Sequence, residues 1–182
     1  MSPVAAFTPA ISPLGQDIEA LFLEHSRMVY RTAYSVTGTI QDAEDVVQTL
    51  FLQLLRHGMP SEFKTSAGAY LYRAAINLSL NAVKSRQRRA ATADAARFEF
   101  PTIIPAEHDR RQIDAERRRQ LAEALATLKP RAVEMLILRY AHDHSEAAIA
   151  RLLRVSRSVV AVTLFRARAR LKTLLPKPGE QP

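Results

Sequence analysis

The residues with the clearest chemistry in this chain are the basic side chains near its C-terminal end. From residue 151 to residue 172 the sequence holds seven Lys or Arg and no Asp or Glu. They span a short apolar segment, a tight turn at residues 154–156 and a longer helical pattern. A helix-turn-helix whose second helix is basic, with no compensating acid, is suited to binding phosphate groups. The segment therefore predicts nucleic-acid binding.

We find no motif for catalysis or for a metal ion beside these residues. His142 and His144 are separated by a single residue and precede Ser145, which is a suitable helix cap. Two His at that spacing are poor ligands on one helix face, and no Cys or carboxylate cluster completes a metal set. The sequence also has no glycine-rich phosphate loop and no nucleophile–base motif. We predict a loop role for both His, no metal, no cofactor and no enzymatic activity.

The charge and composition of the chain agree with a polyanionic partner. Its 182 residues carry a formal net charge of +8, and its pI is near 10.3. The hydrophobic fraction of 47% excludes wholesale disorder. The lack of Cys excludes disulfides. No apolar run approaches the roughly 20 residues that span a bilayer, and no secretion signal is visible, so we expect a cytoplasmic protein without a membrane partner.

Proline positions divide the chain into two helical blocks. Prolines cluster near both ends and at residues 101–105, and the stretches between these clusters lack the alternation that strands need. We predict an all-α protein with two small helical domains, which we call the first block (residues 17–89) and the second block (residues 109–175). A flexible linker at residues 90–108 would join them, with tails at residues 1–16 and 176–182.

In the first block the strongest helical pattern lies at residues 42–56. Thr39 precedes it at capping distance. Its apolar residues form one wide stripe: Ala43, Val46, Val47, Leu50, Phe51, Leu54 and Leu55. Thr65 or Ser66 is predicted to cap a third helix. The inward residues of that helix would be Leu71, Ala74, Ala75, Leu78 and Ala82.

In the second block, Pro130 suits the first turn of a helix, and Ser145 and Ser156 suit the caps of the next two. The helix after Pro130 would bury Val133, Leu136, Ile137 and Tyr140. The last helix would bury Val160, Leu164, Ala167, Leu171 and Leu174. The residues left largely outside that stripe are Arg157, Ser158, Ala161, Thr163, Arg166 and Arg170.

The first block resembles region 2 of bacterial RNA polymerase sigma factors, especially the extracytoplasmic-function (ECF) group. The matching strings are VYRTAY at residues 29–34, DAEDVVQ at 42–48 and YLYRAAINL at 70–78. The second block resembles region 4 of the same family, through LILRY at residues 136–140, IA at 149–150 and RAR at 166–168. Each string alone is weak, but together, in the expected order across residues 18–175, they are specific.

The resemblance implies a transcription initiation factor and assigns residues to its partners. Core RNA polymerase would bind an acidic helix face made of Asp42, Glu44, Asp45 and Gln48. The melted start-proximal promoter DNA would bind Tyr70, Arg73, Asn77, Asn81 and Lys84, through base edges, phosphates and stacking. Upstream-element DNA would bind Arg157, Ser158, Thr163, Arg166 and Arg170. The resemblance also implies control by an anti-sigma factor.

Several residues depart from the family pattern. Thr49 stands where an acid is usual, and so does Asn81. Arg154 replaces the glycine of the turn, and residues 161–163 replace a Lys-Ser-Arg-like run in the last helix. We therefore expect upstream binding that neutralises phosphates but discriminates bases poorly, with Val159 and Val162 adding apolar surface. Two alternatives remain open: a sigma-like module that titrates an anti-sigma factor, and a helix-turn-helix regulator that acts without polymerase docking.

Overall fold

The computed structural model describes residues 13–60, 63, 66–94 and 109–175. These residues form seven α-helices and no strand, which confirms the all-α prediction. The helices are α1 (Pro13–Thr37), α2 (Ile40–His57), α3 (Ala67–Asp94), α4 (Asp109–Ala126), α5 (Pro130–Tyr140), α6 (Glu146–Leu153) and α7 (Arg157–Leu174). None of the described helices combines the length and the apolar character needed to cross a membrane.

Four helices begin at the caps that the sequence predicts. The hydroxyl oxygens of Thr39, Ser66, Ser145 and Ser156 each accept a hydrogen bond from a backbone N–H three residues later, at 3.2–3.3 Å. Pro130 occupies the first turn of α5. Each such cap stabilises a helix by about 1 kcal/mol relative to alanine. Thr65, the alternative to Ser66, lies outside the described residues.

The predicted linker and tails are only partly covered by the structure. Helix α1 already begins at Pro13 and α3 continues to Asp94, so helix extends beyond both predicted limits of the first block. Residues 1–12, 95–108 and 176–182 lie outside the described residues. The domain limits and the flexibility of the linker therefore stay predictions.

Helices α1, α2 and α3 pack around a common core. The stripe of α2 is buried through Ala43, Val46, Leu50, Phe51 and Leu54, as predicted. Val47 is half-buried, and Leu55, at the end of the stripe, is 47% exposed. Leu50, Phe51 and Leu71 are among the buried residues of this core.

Helix α3 has two buried faces, of which the sequence predicts only one. Leu71 and Ala75 pack against α1 and α2, whereas the predicted inward residues Ala74, Leu78 and Ala82 are only half-buried. A second set of buried residues joins a core cluster with α4–α7: Tyr72, Ile76, Leu80 and Val83. Two buried faces leave little amphipathic contrast along a helix, which is why the second face was missed. The two blocks therefore share a continuous hydrophobic core.

Helix α5 lies at the centre of the second block. Its buried residues include Met135 and Leu138 as well as the predicted Val133, Leu136 and Ile137. Tyr140, predicted to face inward, is 56% exposed, so that prediction is wrong. The reason is that α5 packs against α1, α3, α6 and α7 together. Its buried surface is therefore set by four neighbouring helices rather than by one apolar stripe.

Helices α6 and α7 form the predicted helix-turn-helix. Arg154, at the turn, adopts the left-handed conformation with φ 53° and ψ 50°. Glycine adopts this conformation at low steric cost, which is why it is common after a helix end. In α7, Val160, Leu164 and Ala167 are buried as predicted, Leu171 is half-buried and Leu174 is 38% exposed.

Candidate functional site

The predicted polymerase contact is divided by the structure into a half-buried and an exposed part. Asp42 Oδ2 accepts hydrogen bonds from Arg86 Nη1 of α3 and from Thr39 Oγ1, the latter at 2.8 Å. Arg86 Nη2 also donates to the Thr37 carbonyl at 3.1 Å. Asp42 therefore links α2 to α3 and is only 21% exposed. The expectation that three acids share one exposed face is wrong for Asp42, because Arg86 neutralises it.

The other three residues of the predicted contact are exposed. Glu44, Asp45 and Gln48 line one wall of a surface groove of about 620 Å³ between α1 and α2. Phe22, which is 42% exposed, lines the same groove and packs edge-on against Phe51 at a centroid distance of 4.9 Å. Arg27 also lines the groove, which therefore combines two carboxylates and one guanidinium with aromatic surface.

The predicted start-proximal DNA face lies along one side of α3. Arg73, Asn77, Asn81 and Lys84 are exposed along it, and Tyr70 is half-buried, with its ring 5.7 Å from that of Phe63. One end of this face borders the second block. Arg73 and Asn77 line a crevice of about 220 Å³ whose other wall is formed by Pro130, Arg131 and Glu134.

Glu134 is a charged residue in the core that the sequence analysis did not single out. Its side chain is 3% exposed, and its Oε2 accepts a 2.6 Å hydrogen bond from Arg131 Nη1. Its Oε1 makes no hydrogen bond and lies 4.0 Å from Arg73 Nε. Arg131 Nη2 in turn donates to the Leu153 carbonyl at 2.6 Å. The available signal was a single acid within an apolar run at residues 133–138.

His142 lies between the two blocks. Its Nε2 is 2.9 Å from Thr32 Oγ1, whose hydroxyl donates to the Met28 carbonyl at 2.9 Å. Because that proton is used, we assign Nε2–H as the donor to Thr32. The ring packs edge-on against Tyr72 at 4.9 Å. Burial, with a smaller contribution from the Arg31 charge, lowers the pKa of His142 to about 4.

This placement refines the predicted loop role of the two His. His142 contributes to the contact between α1, α3 and the loop after α5, and the ring of His144 lies 6.2 Å from that of Tyr72. Burial also raises the pKa of Tyr72 above its usual value. Within the described residues no group of three or more potential metal ligands occurs.

The predicted upstream-element residues lie on the outer side of α7. Arg157, Ser158, Arg166 and Arg170 are exposed, and Thr163 is half-buried. Arg157 Nε is 3.8 Å from Glu146 Oε2, but its side chain is 75% exposed. This ion pair therefore leaves the Arg157 guanidinium open to a further partner.

Apolar side chains interrupt this basic surface. Val159 and Val162 are 47% and 48% exposed, and Phe165, which the sequence analysis did not single out, is 67% exposed. Arg168 Nη1 lies 3.3 Å from the Tyr140 hydroxyl. The outer side of α7 is therefore both cationic and apolar.

The sequences of the two blocks match two protein-family models. A model described as Sigma-70 region 2 matches residues 21–89, and one described as Sigma-70, region 4 matches residues 118–171. Together they cover more than half of the chain, in the order that the resemblance implies. The chain belongs to the sigma-70 family. The first block is its region 2 and the second block is its region 4.

Relatives of this sigma-70 protein indicate its group within the family. It is 26% identical over 186 residues to the ECF RNA polymerase sigma factor SigG of Mycobacterium tuberculosis, covering 91% of this chain and 50% of SigG. It is 30% identical over 164 residues to SigE of Mycolicibacterium smegmatis, covering 87% of this chain and 62% of SigE. Both relatives are named as ECF factors, and the chain is a member of that group. It spans about half the length of SigG.

A solved structure has the same fold. The sigma factor RpoE from Bartonella quintana, crystallised with the anti-sigma factor NepR, superposes with a TM-score of 0.51 at 21% identity. The superposition covers 87% of this chain and 96% of RpoE. At this level of identity the likeness extends to the arrangement of helices and not to individual site residues.

Proposed function

We propose that this sigma-70 factor directs core RNA polymerase to promoters and initiates DNA-templated transcription in the cytoplasm. The observation that carries the proposal is the presence, in one chain, of an acidic groove on α1 and α2 and a basic helix-turn-helix on α6 and α7. Surfaces of opposite charge suit two different partners, a basic surface of polymerase and the DNA phosphates. The polymerase carries out the catalysis, and the factor positions the polymerase on promoter DNA.

In this proposal, polymerase binds the groove lined by Glu44, Asp45 and Gln48. The exposed carboxylates attract a basic helix or coiled coil, and exposed Phe22 adds apolar contact. Asp42 has a different role, because its carboxylate is held by Arg86. It keeps α2 in place against α3, so it positions the groove instead of lining it.

The start-proximal promoter DNA binds along α3. Carboxamides of Asn77 and Asn81 can bond base edges, and Lys84 can hold a phosphate. The crevice beside Arg73 and Asn77 is bordered by α5, so DNA binding along the whole face requires α5 to move away from α3. An initiation-competent form of the protein is therefore more open than the form in which α5 packs against α3.

Region 4 holds upstream DNA chiefly through phosphate contacts by Arg157, Arg166 and Arg170, with Ser158 and Thr163 beside them.

An anti-sigma factor is the expected regulator; RpoE of Bartonella quintana was crystallised with such a protein. A chain that only titrates an anti-sigma factor is the second candidate, favoured by the exposed valines on α7.

Transcription with purified core polymerase tests the polymerase contact. Glu44→Lys combined with Asp45→Lys should weaken polymerase binding and transcription, while the circular dichroism spectrum stays unchanged, because exposed charges add little to stability. The matched control is Glu24→Lys with Asp114→Lys, two exposed acids outside the groove. If the groove variant binds core polymerase as tightly as the control, the docking assignment is wrong. If the wild-type chain binds polymerase without supporting transcription, the titration alternative is favoured.

Competition between promoter variants at two salt concentrations tests the DNA contacts. Replacing Asn77 and Asn81 with Ala should abolish the choice between start-proximal sequences. Replacing Arg157 and Arg166 with Ala should lower affinity for all sequences and flatten the salt dependence, since fewer counterions are released. If the variant without Asn77 and Asn81 still chooses between start-proximal sequences as wild type does, the assignment of DNA binding to α3 is wrong.

A further inference from the structure

The centre of the outer face of α7 is apolar, although the helix is basic. Val162 lies two residues from both Val160 and Leu164, which are buried, so at 3.6 residues per turn it points directly away from the core. Val159 lies one turn earlier on the same exposed side. Ser158, between Arg157 and Val159 in the chain, is also exposed. The exposed side of the first half of α7 therefore carries Val159, Val162 and Phe165, with Arg157 and Ser158 at its start.

Long cationic side chains flank this apolar centre. Arg166 and Arg170 lie along one edge, and Arg168 and Lys172 lie along the other, all of them exposed. No acid occurs between residues 151 and 172. A ligand with negative charges at its sides and apolar groups between them satisfies both features.

The major groove of DNA meets both requirements. Its phosphates line the walls, and the 5-methyl group of thymine is the apolar group on its floor. The N-terminal half of the second helix of a helix-turn-helix is the part that contacts base edges. Val159 and Val162 lie in this half, and neither side chain can form a hydrogen bond. Contact with a methyl group is the discrimination that such side chains can make.

We propose that Val159 and Val162 select thymine in the upstream promoter element by contact with its 5-methyl group. The proposal rests on the proposed function, because it assumes that α7 enters the groove of promoter DNA. The neighbouring hydroxyl of Ser158 can bond a base edge or a phosphate. The preference is modest, roughly fourfold for each contacted methyl group, and smaller than that of a bidentate hydrogen-bonded pair. Region 2 therefore keeps the larger share of promoter choice.

Replacement of thymine by deoxyuridine tests this proposal, because it removes only the methyl group. Holoenzyme reconstituted from the full chain and core polymerase is used to select upstream elements from a random duplex pool. The best duplex is then remade with deoxyuridine at one thymine at a time, and binding is measured by competition. Wild-type holoenzyme should lose roughly fourfold at one or two positions. Holoenzyme carrying Val159→Ala and Val162→Ala should bind both duplexes equally.

The control variant is Leu174→Ala, at an apolar residue of α7 that is 38% exposed and lies at its C-terminal end. It should show the same deoxyuridine effect as wild type. Equal wild-type affinity for thymine and deoxyuridine at every position overturns the proposal and leaves the valines as a surface for a protein partner. A deoxyuridine effect that persists in the double valine variant also overturns it.

Polymerase binding and run-off transcription test the proposed function separately from the methyl contact. If the chain does not bind core polymerase or support run-off transcription, the function is refuted. The selection and the deoxyuridine comparison are then carried out with the free chain. If the free chain selects no sequence from the pool, or binds both duplexes equally, methyl contact is refuted as well.

Discussion

Acidification should loosen the contact between region 2 and region 4 through His142. The ring is packed against Tyr72 and hydrogen-bonded to Thr32, both in region 2. Protonation would keep the hydrogen bond from Nε2. The destabilisation comes instead from burying the imidazolium charge and from its repulsion by Arg31, with Asp143 opposing and His144 adding smaller contributions.

The magnitude follows from the difference between the folded and the unfolded pKa. The folded pKa of His142 is about 4, and the unfolded value is 6.5. Because the folded pKa is depressed, the neutral ring contributes stability above pH 6.5, and this is lost as the pH falls towards about 4. At pH 5.5 the loss is about 1.4 kcal/mol without solvent screening. The ring is only half-buried, so we expect about 1 kcal/mol after screening.

Urea unfolding at about pH 7.5 and about pH 5.5 measures this loss. The variant His142→Gln can still donate an amide hydrogen to Thr32 but does not titrate. The loss of stability between the two pH values should be about 1 kcal/mol smaller in this variant than in wild type. His57→Gln, at an exposed His at the end of α2, is the control variant. Equal pH dependence in wild type and His142→Gln would refute the reasoning.

Three further predictions concern stability, each measured by urea unfolding at neutral pH. Arg154→Gly should raise the free energy of unfolding by up to about 1 kcal/mol, because glycine relieves the left-handed backbone; no gain would contradict this. Asp42→Asn should lower the free energy of unfolding by about 1–2 kcal/mol, because it weakens the contact with Arg86. Glu44→Gln, at an exposed acid, should leave it unchanged. Equal effects of the two changes would contradict the structural role of Asp42. Glu134→Gln should lower stability by about 1–2 kcal/mol. The double variant Arg131→Met with Glu134→Leu should recover most of the stability that Glu134→Gln loses. A double variant less stable than Glu134→Gln would contradict this prediction.

The sequence by itself determined the local structure and the family of this protein. Thr39, Ser145 and Ser156 mark helix starts because a cap bonds a backbone N–H only three residues away. The order of short matching strings is also a property of the chain alone, and it identifies the ECF sigma factors before any contact is known. The exposed Arg residues of α7 were predicted equally well, since a single core stripe defines the outer face of that helix.

The tertiary structure alone decided which charged residues are available to partners. Asp42 and Arg86 are 44 positions apart, and Thr32 and His142 are 110 apart, so no local pattern relates the members of either pair. The second buried face of α3 and the burial of Glu134 likewise depend on region 4 packing against region 2. Helical periodicity predicts that a face is buried only when the helix has one apolar face. A helix packed on several sides has its buried faces set by its neighbours, and these are brought together only by folding.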